Sequence, residues 1–586
     1  MALPPRARSP DLHLLAALPA VAAPGFLLGV HLGGLLFFLN PELPFAPPPV
    51  ARAALLYGAL GALASAAVLA PFTLGRPERA LRLLPWGLAA VLALAALLDS
   101  VHASFYAYFL PAGINDRLLR AALWLTAGAL AAFYIALLHT LQRRRYGWRS
   151  RLALWLLALA SIYLMVERRE AFEPSPERAR PTRVEASLRP ALLVVGIDTA
   201  TLDALLPMAE EGRVPFFAAL LQRGAYGRLE SFEPYRPDAL WTTLATGAYP
   251  FEHGVLGQPV HAAGFLAPGA ELRLLPAGLG FARWGTFGLP RRPEDAAAAR
   301  RVRALWEVLP RLGVASGVVG WPAASLAAGP DAPGAEFVFP EAFFAPSFDP
   351  AGARPPALAE RAWIFRVRLE DLDPRHLARF EPEAPAPVLE AFTLDLWRQS
   401  LTRFLVEQGE ARVAFLRLPG LTEASVRAFG GYAARRFEGR QGPELDRAAA
   451  LLGTYYSQLD ALLAELWGEL PGPRLLAVVS PSGVEEPGGL ARAWLAARGE
   501  EPVRGELGDA PDGVLLLLGE GVRPGTLVTG ARLVDVAPTL MYSLGLPVAR
   551  DLDGRILTEA FAPEFLAAHP LTFVPSYETL GPLAPR

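Results

Sequence analysis

A carboxylate at the end of an apolar run is the first place in this sequence where chemistry could be done. Residues 191–197 read Ala-Leu-Leu-Val-Val-Gly-Ile and stop at Asp198. A β-branched apolar run that ends on an acidic residue and passes into a helical pattern is a buried parallel strand, and it delivers the carboxylate to the sheet edge where open α/β folds bind ligands. Thr199 and Thr201 follow as caps for a helix through Glu211, so turn hydrogen bonds account for Asp198 as well as metal ligation does. With no cysteine in the chain, disulfides, thiolate metal sites and a cysteine-derived nucleophile are excluded. His261, His376 and His569 have no partner at ligand spacing. Asp99 and His102 share one face of an apolar helix. Counted from Leu83, Asp99 lies about 24 Å into a hydrocarbon core of ~30 Å, next to an aromatic belt of Phe105, Tyr106, Tyr108 and Phe109.

With Val194-Val-Gly-Ile-Asp198, Gly224-Ala-Tyr-Gly, Trp241-Thr-Thr-Leu-Ala-Thr-Gly247 and His253-Gly-Val, the chain resembles the alkaline phosphatase superfamily in its bacterial type I phosphodiesterase/nucleotide pyrophosphatase branch. Leu305-Trp-Glu-Val-Leu, Gly317-Val-Val-Gly-Trp-Pro, Pro511-Asp-Gly-Val-Leu and Leu533-Val-Asp-Val-Ala-Pro-Thr-Leu follow in the family's order. The resemblance implies an α/β, alkaline-phosphatase-like sandwich with a central, mostly parallel sheet over 191–560. It also implies ester hydrolysis by a Ser or Thr nucleophile between two metal ions held by three Asp and three His.

Position by position, this chain departs from that chemistry. Asp198 fits the first Asp ligand. Pro237 stands where the nucleophile belongs, and a shift of one residue offers only Arg236 or Asp238. Thr422 and Val426 occupy the next Asp and His positions, Pro481 and Ser482 replace the pair in the family's Ser-Asp-His-Gly hallmark, and Asp509 is nearest to the last His. His253 matches a structural His of the family, not a ligand. Two-metal hydrolysis needs both cations, and groups that act as a unit fail as a unit.

The expectation is therefore a binding or scaffold pseudoenzyme without the family's zinc site and without another cofactor. The rival is a hydrolase rebuilt on carboxylates. Asp198, Asp238, Glu423 and Asp509 would then hold a single Mg²⁺ or Ca²⁺. Arg236, either a surface residue or a guanidinium for a phosphate or sulfate group, completes the candidate binding residues. Asp551-Leu-Asp-Gly is read as a turn.

The 586 residues are 53% hydrophobic, and the near-neutral net charge gives no reason to expect nucleic acid. Five runs, approximately 14–39, 53–74, 83–106, 118–141 and 152–165, are candidate membrane spans and form a five-helix domain over 1–170. Arg76, Arg79 and Arg82, and then Arg143, Arg144, Arg145, Arg149 and Arg151, fall in alternate loops, which the positive-inside rule makes cytoplasmic. The N-terminus is then cytoplasmic, and the large C-terminal domain lies outside a bacterial inner or plasma membrane. The expected partners are the lipid bilayer and an envelope protein or anionic ligand. Residues 171–190 read as a linker, 327–390 as a cap insertion, 561–586 as a tail, and Glu294 to Leu312 as one helix.

Overall fold

The computed structural model describes residues 10–73, 77–142, 146–166, 190–278, 280–324, 335–345, 353–380, 384–508 and 510–580. Asp509, Arg76, Arg143, Arg144, Arg145, nearly all of the 171–190 linker and parts of 327–390 lie outside these residues, as does the side chain of Arg79. The chain divides into two compact units, one of Met1–Pro174 with Gln258–Glu294, the other of Ser175–Gly257 with Asp295–Arg586.

In the first unit the apolar runs become α1 (Pro10–Leu39), α2 (Pro47–Thr73), α3 (Pro77–Phe105), α4 (Ala112–Leu141) and α5 (Trp148–Val166). Four of them, α1 to α4, are long and apolar enough to cross a membrane. The fifth is a 19-residue helix that carries Arg149 and Arg151 in its first turn. Large apolar side chains point outward along these helices, among them Leu63, Leu123 and Leu130. A bilayer accepts such a surface and water does not. Helices α1 and α2 approach most closely where side chains are missing: a Cβ on Gly29 would lie 1.9 Å from the Tyr57 carbonyl oxygen, and one on Gly25 would lie 2.0 Å from that of Gly61. Small residues let helix backbones touch where the surrounding lipid gives no hydrophobic drive to associate.

Residues Gln258–Glu294 cluster with these helices. Asn40, just past α1, bonds this segment with both ends of its amide: Nδ2 donates to the Leu274 carbonyl at 2.7 Å, and Oδ1 accepts from the Arg273 and Leu274 amides at 2.6 and 2.9 Å. The Tyr106 hydroxyl donates to the Leu275 carbonyl, the Tyr57 hydroxyl to that of Gly285, and His102 Nε2 accepts from the Ala277 amide. Leu36, Phe37, Leu43, Ala53 and Tyr57 share one apolar cluster with Ala263, Leu266, Leu272 and Phe281. The aromatic belt expected after α3 is accordingly split, with Tyr106 and Phe109 buried and Tyr108 exposed. Two of these rings face protein instead of lipid because the Gln258–Glu294 segment meets the end of α3.

The second unit is built on an eight-stranded sheet. Its strands are β1 (Ala191–Ile197), β2 (Ala225–Glu230), β3 (Ser316–Val319), β4 (Phe337–Phe339), β5 (Val413–Leu418), β6 (Arg474–Ser480), β7 (Gly513–Gly519) and β8 (Thr526–Arg532). Their spatial order is β8-β2-β7-β6-β1-β5-β3-β4, and only β7 runs antiparallel to its neighbours. This is the mostly parallel α/β sheet that the motif order implied. Central β1 is buried at all seven positions, as a parallel strand covered on both faces must be. It is flanked by α6 (Leu202–Glu210), α7 (Pro215–Arg223), α8 (Pro237–Thr246), α9 (Ala386–Glu407), α10 (Leu421–Arg436) and α11 (Pro443–Glu469). The single helix expected from Glu294 to Leu312 is two short ones, Ala296–Ala299 and Leu305–Arg311. Between them the Arg301 amide bonds the His253 carbonyl, and Arg300 folds back onto Glu307.

Candidate functional site

Strands β1 and β5 end side by side, with Gly196 paired to Arg417 and Ile197 to Leu418. Asp198 follows on the first strand. Both of its oxygens are taken by one guanidinium: Arg417 Nε donates to Oδ1 at 2.8 Å and Nη2 to Oδ2 at 2.7 Å. The remaining terminal nitrogen, Nη1, donates to Glu341 at 2.7 Å. The side chains of Arg417 and Asp198 are only 6% and 7% exposed, so this is a buried, bidentate, charge-assisted pair. Burial works against the charge on Arg417, but Asp198 and Glu341 outweigh it and raise its pKa. The guanidinium also lies 5.4 Å from the Trp241 ring centroid.

That ring belongs to α8 and packs it against the end of β1. Gly196 makes room for it, since a Cβ there would fall 2.4 Å from the indole. Trp241 packs edge-on against Trp321 at 4.8 Å, and the Trp321 indole N–H donates to the Trp241 carbonyl. Pro237 is the first residue of α8, where its fixed φ and missing N–H suit a helix start, and Arg236 is the cap residue. The Arg236 guanidinium reaches the Gly257 carbonyl at 3.4 Å. Tyr235 bonds Ser482 and feels Asp198, Arg417 and Asp238, and burial followed by Asp198 raises its hydroxyl pKa. The structure thus sets Tyr235 beside the Asp198–Arg417 pair, with Ser482 and Asp238 also near its hydroxyl.

The other predicted residues are placed differently. Glu423 turns along its own helix to pair with Arg427 and is half exposed. Thr422 is in the first turn of α10 and its buried hydroxyl has no partner among the described residues. Val426 uses its backbone carbonyl to receive the Gly505 amide. The Ser480 hydroxyl donates to the Ser482 carbonyl, which closes the turn through Pro481. His253 accepts the Val255 amide on Nδ1 and faces the Thr243 hydroxyl at 3.1 Å. Burial drives its pKa down to about 3, so it stays neutral. Among the described residues, no three His, Asp or Glu side chains gather as a metal-binding group.

Sequence reasoning passed over a second layer behind the pair. Asp395 on α9 is fully buried, accepts from the Tyr455 hydroxyl at 2.9 Å and the Gly420 amide at 3.1 Å, and is pushed up to about 7 by burial despite both bonds. One turn on, Arg398 donates to the Gly320 and Arg417 carbonyls and lies over Phe344, and burial lowers its pKa to about 10. Between strand and helix, Thr199 holds φ at +62° and its hydroxyl donates to Ser425. A β-branched residue in the left-handed region stores of order 1–3 kcal/mol of strain.

Residues 192–480 match the model of the type I phosphodiesterase / nucleotide pyrophosphatase family. The match covers just under half of the chain, from β1 to the end of β6. Among curated proteins there is no match. Among solved structures, the chain is similar to murine ectonucleotide pyrophosphatase / phosphodiesterase 5, an inactive variant in complex with AMP. The identity is 13%, over 64% of this chain and 100% of that one, with a TM-score of 0.36. The human form of that protein matches at 13% identity over 62% of this chain and 97% of its own, with a TM-score of 0.38. Phosphonoacetate hydrolase from Sinorhizobium meliloti 1021, in complex with phosphonoformate, matches at 14% over 51% and 57%, with a TM-score of 0.29.

Proposed function

We propose that this phosphodiesterase-family domain does not carry out two-metal ester hydrolysis and acts by binding, as a membrane-anchored scaffold on the outer side of a bacterial cell envelope. The observation that carries the reading is the Asp198–Arg417 pair. The one family ligand left in this sequence gives both oxygens to a guanidinium, which holds the positive charge that a metal ion would bring. The donor set does not fit a dinuclear centre. Thr422, Val426, Pro481 and Ser482 offer neutral hydroxyls or nothing, and Pro237 offers no nucleophile. Placement outside the cytoplasm rests on the arginine-rich alternate loops. The ligand is a partner protein of the envelope or a phosphate- or sulfate-bearing group.

The test is metal per chain by elemental mass spectrometry on detergent-purified protein, together with hydrolysis of bis(p-nitrophenyl) phosphate. Neither bound metal nor turnover is expected. Two zinc ions with turnover would overturn the proposal. One Mg²⁺ or Ca²⁺ lost in Asp198→Ala, again with turnover, would replace it with a carboxylate-based hydrolase.

A further inference from the structure

Within the first unit, the Gln258–Glu294 segment meets α2 at two levels. Arg52 donates to the Leu266 carbonyl at 3.3 Å. Five residues further along the helix, about 7.5 Å along its axis, Tyr57 bonds the Gly285 carbonyl and stacks on Phe281 at 6.0 Å, with Phe287 at 5.8 Å. Tyr57 belongs to the stretch Pro47–Leu69, which is apolar and long enough to span a bilayer. Residues 281–287 therefore run beside α2 below the level of Arg52. Two large aromatics there are outward-facing, with Trp284 43% and Phe287 45% exposed. Arg283 and Arg291 are exposed as well and have no ion-pair partner among the described residues. Exposed aromatics flanked by arginines, alongside a helix whose own side chains point into lipid, match the depth of interfacial elements, about 5–10 Å into the boundary between head groups and acyl chains.

We infer that residues 280–292 are a lipid-contacting element that seats Trp284 and Phe287 in the head-group boundary of the phospholipid layer crossed by α1–α4. Arg283 and Arg291 stand at the level of the lipid phosphates, where each basic residue adds attraction to anionic lipid. The inference rests on the reading that α1–α4 span the bilayer.

The absence of cysteine makes the test direct. Single-cysteine variants Trp284→Cys and Phe287→Cys of the full chain, each keeping the other aromatic, are spin-labelled in nanodiscs of phosphatidylcholine and phosphatidylglycerol. Collisions with oxygen, which partitions into lipid, are compared with collisions with a water-soluble nickel chelate. Leu123→Cys on the outward face of α4 and Ala497→Cys in the second unit serve as references. Oxygen is expected to dominate at 284 and 287 as it does at 123. If nickel dominates at 284 and 287 while oxygen dominates at 123, the lipid contact is overturned and the spanning helices stand. Nickel dominance at 123 as well would overturn both.

Discussion

A carboxylate held by two nitrogens of one buried arginine behaves differently from a metal ligand when it is removed. Asp198→Ala leaves the Arg417 charge buried with only half-exposed Glu341 beside it, and breaking such a pair on one side typically costs about 3–5 kcal/mol. The variant should therefore melt far below the parent, and its metal content should not change. Asp198→Leu combined with Arg417→Met removes both charges and should be less destabilising than Asp198→Ala alone. A double variant that is worse than the single one would show that the pair does not act as a unit. Pro237→Ser returns a hydroxyl to the start of α8, and if the domain binds no metal, as proposed, the measured phosphodiester hydrolysis should stay at background. Asp395 gives the pH signature. Its carboxyl is raised from an ordinary 3.8 to about 7, so between those values the native state keeps a proton that the unfolded chain has lost. Its contribution is fully present below about 4 and is lost as pH rises through about 7. Glu252, buried beside Asp553 and pushed up to about 7, acts in the same direction. Asp395→Asn should flatten the fall of the thermal midpoint across that window without abolishing it. The Asp198 end of this network was legible in the sequence, as an acidic residue closing a strand pattern. The Arg417 end left a signal that went unused, one arginine inside the buried run Val413-Ala-Phe-Leu-Arg-Leu. Asp395 and Arg398 gave less to read, because a charged pair three apart on a helix is ordinary on a surface and only tertiary packing buries it.

Single elements were the most readable layer. Five apolar runs became five helices, and the β-branched run before Asp198 became the central strand, because length and hydrophobic period are local properties. The failures have a common cause. Glu294 to Leu312 has a helical composition, but the interior of that stretch is recruited by distant partners: His253 takes the Arg301 amide and Glu578 takes the Arg303 amide. Likewise nothing local marks Gln258–Glu294 as a companion of the N-terminal helices, since its anchors Asn40, Tyr57 and Tyr106 lie 234, 228 and 169 residues away. Asn40 is the most connected of these. Asn40→Ala orphans buried amides of Arg273 and Leu274, at about 1–3 kcal/mol for each group left unpaired. Hydrogen exchange at residues 270–275 should quicken while β1 and β6 keep their protection. Unchanged exchange there would mean that Asn40 does not hold the segment.

For the molecule as a whole, the path of the chain matters more than any single contact. It leaves the helical unit after Pro174, returns at Gln258 and leaves again after Glu294, so the backbone passes between the two units three times. A domain joined to its anchor by one linker is shed by one protease cut. Here a cut within 171–190 would leave a C-terminal fragment that still contains Gln258–Glu294, and with it the bonds to Asn40, Tyr57, His102 and Tyr106. A site-specific protease sequence placed in 171–190 should therefore nick the chain without freeing the fragment into the wash, and its release should require detergent or a denaturant. Freeing the folded second unit from the helices by a single proteolytic event is a route that this chain path closes.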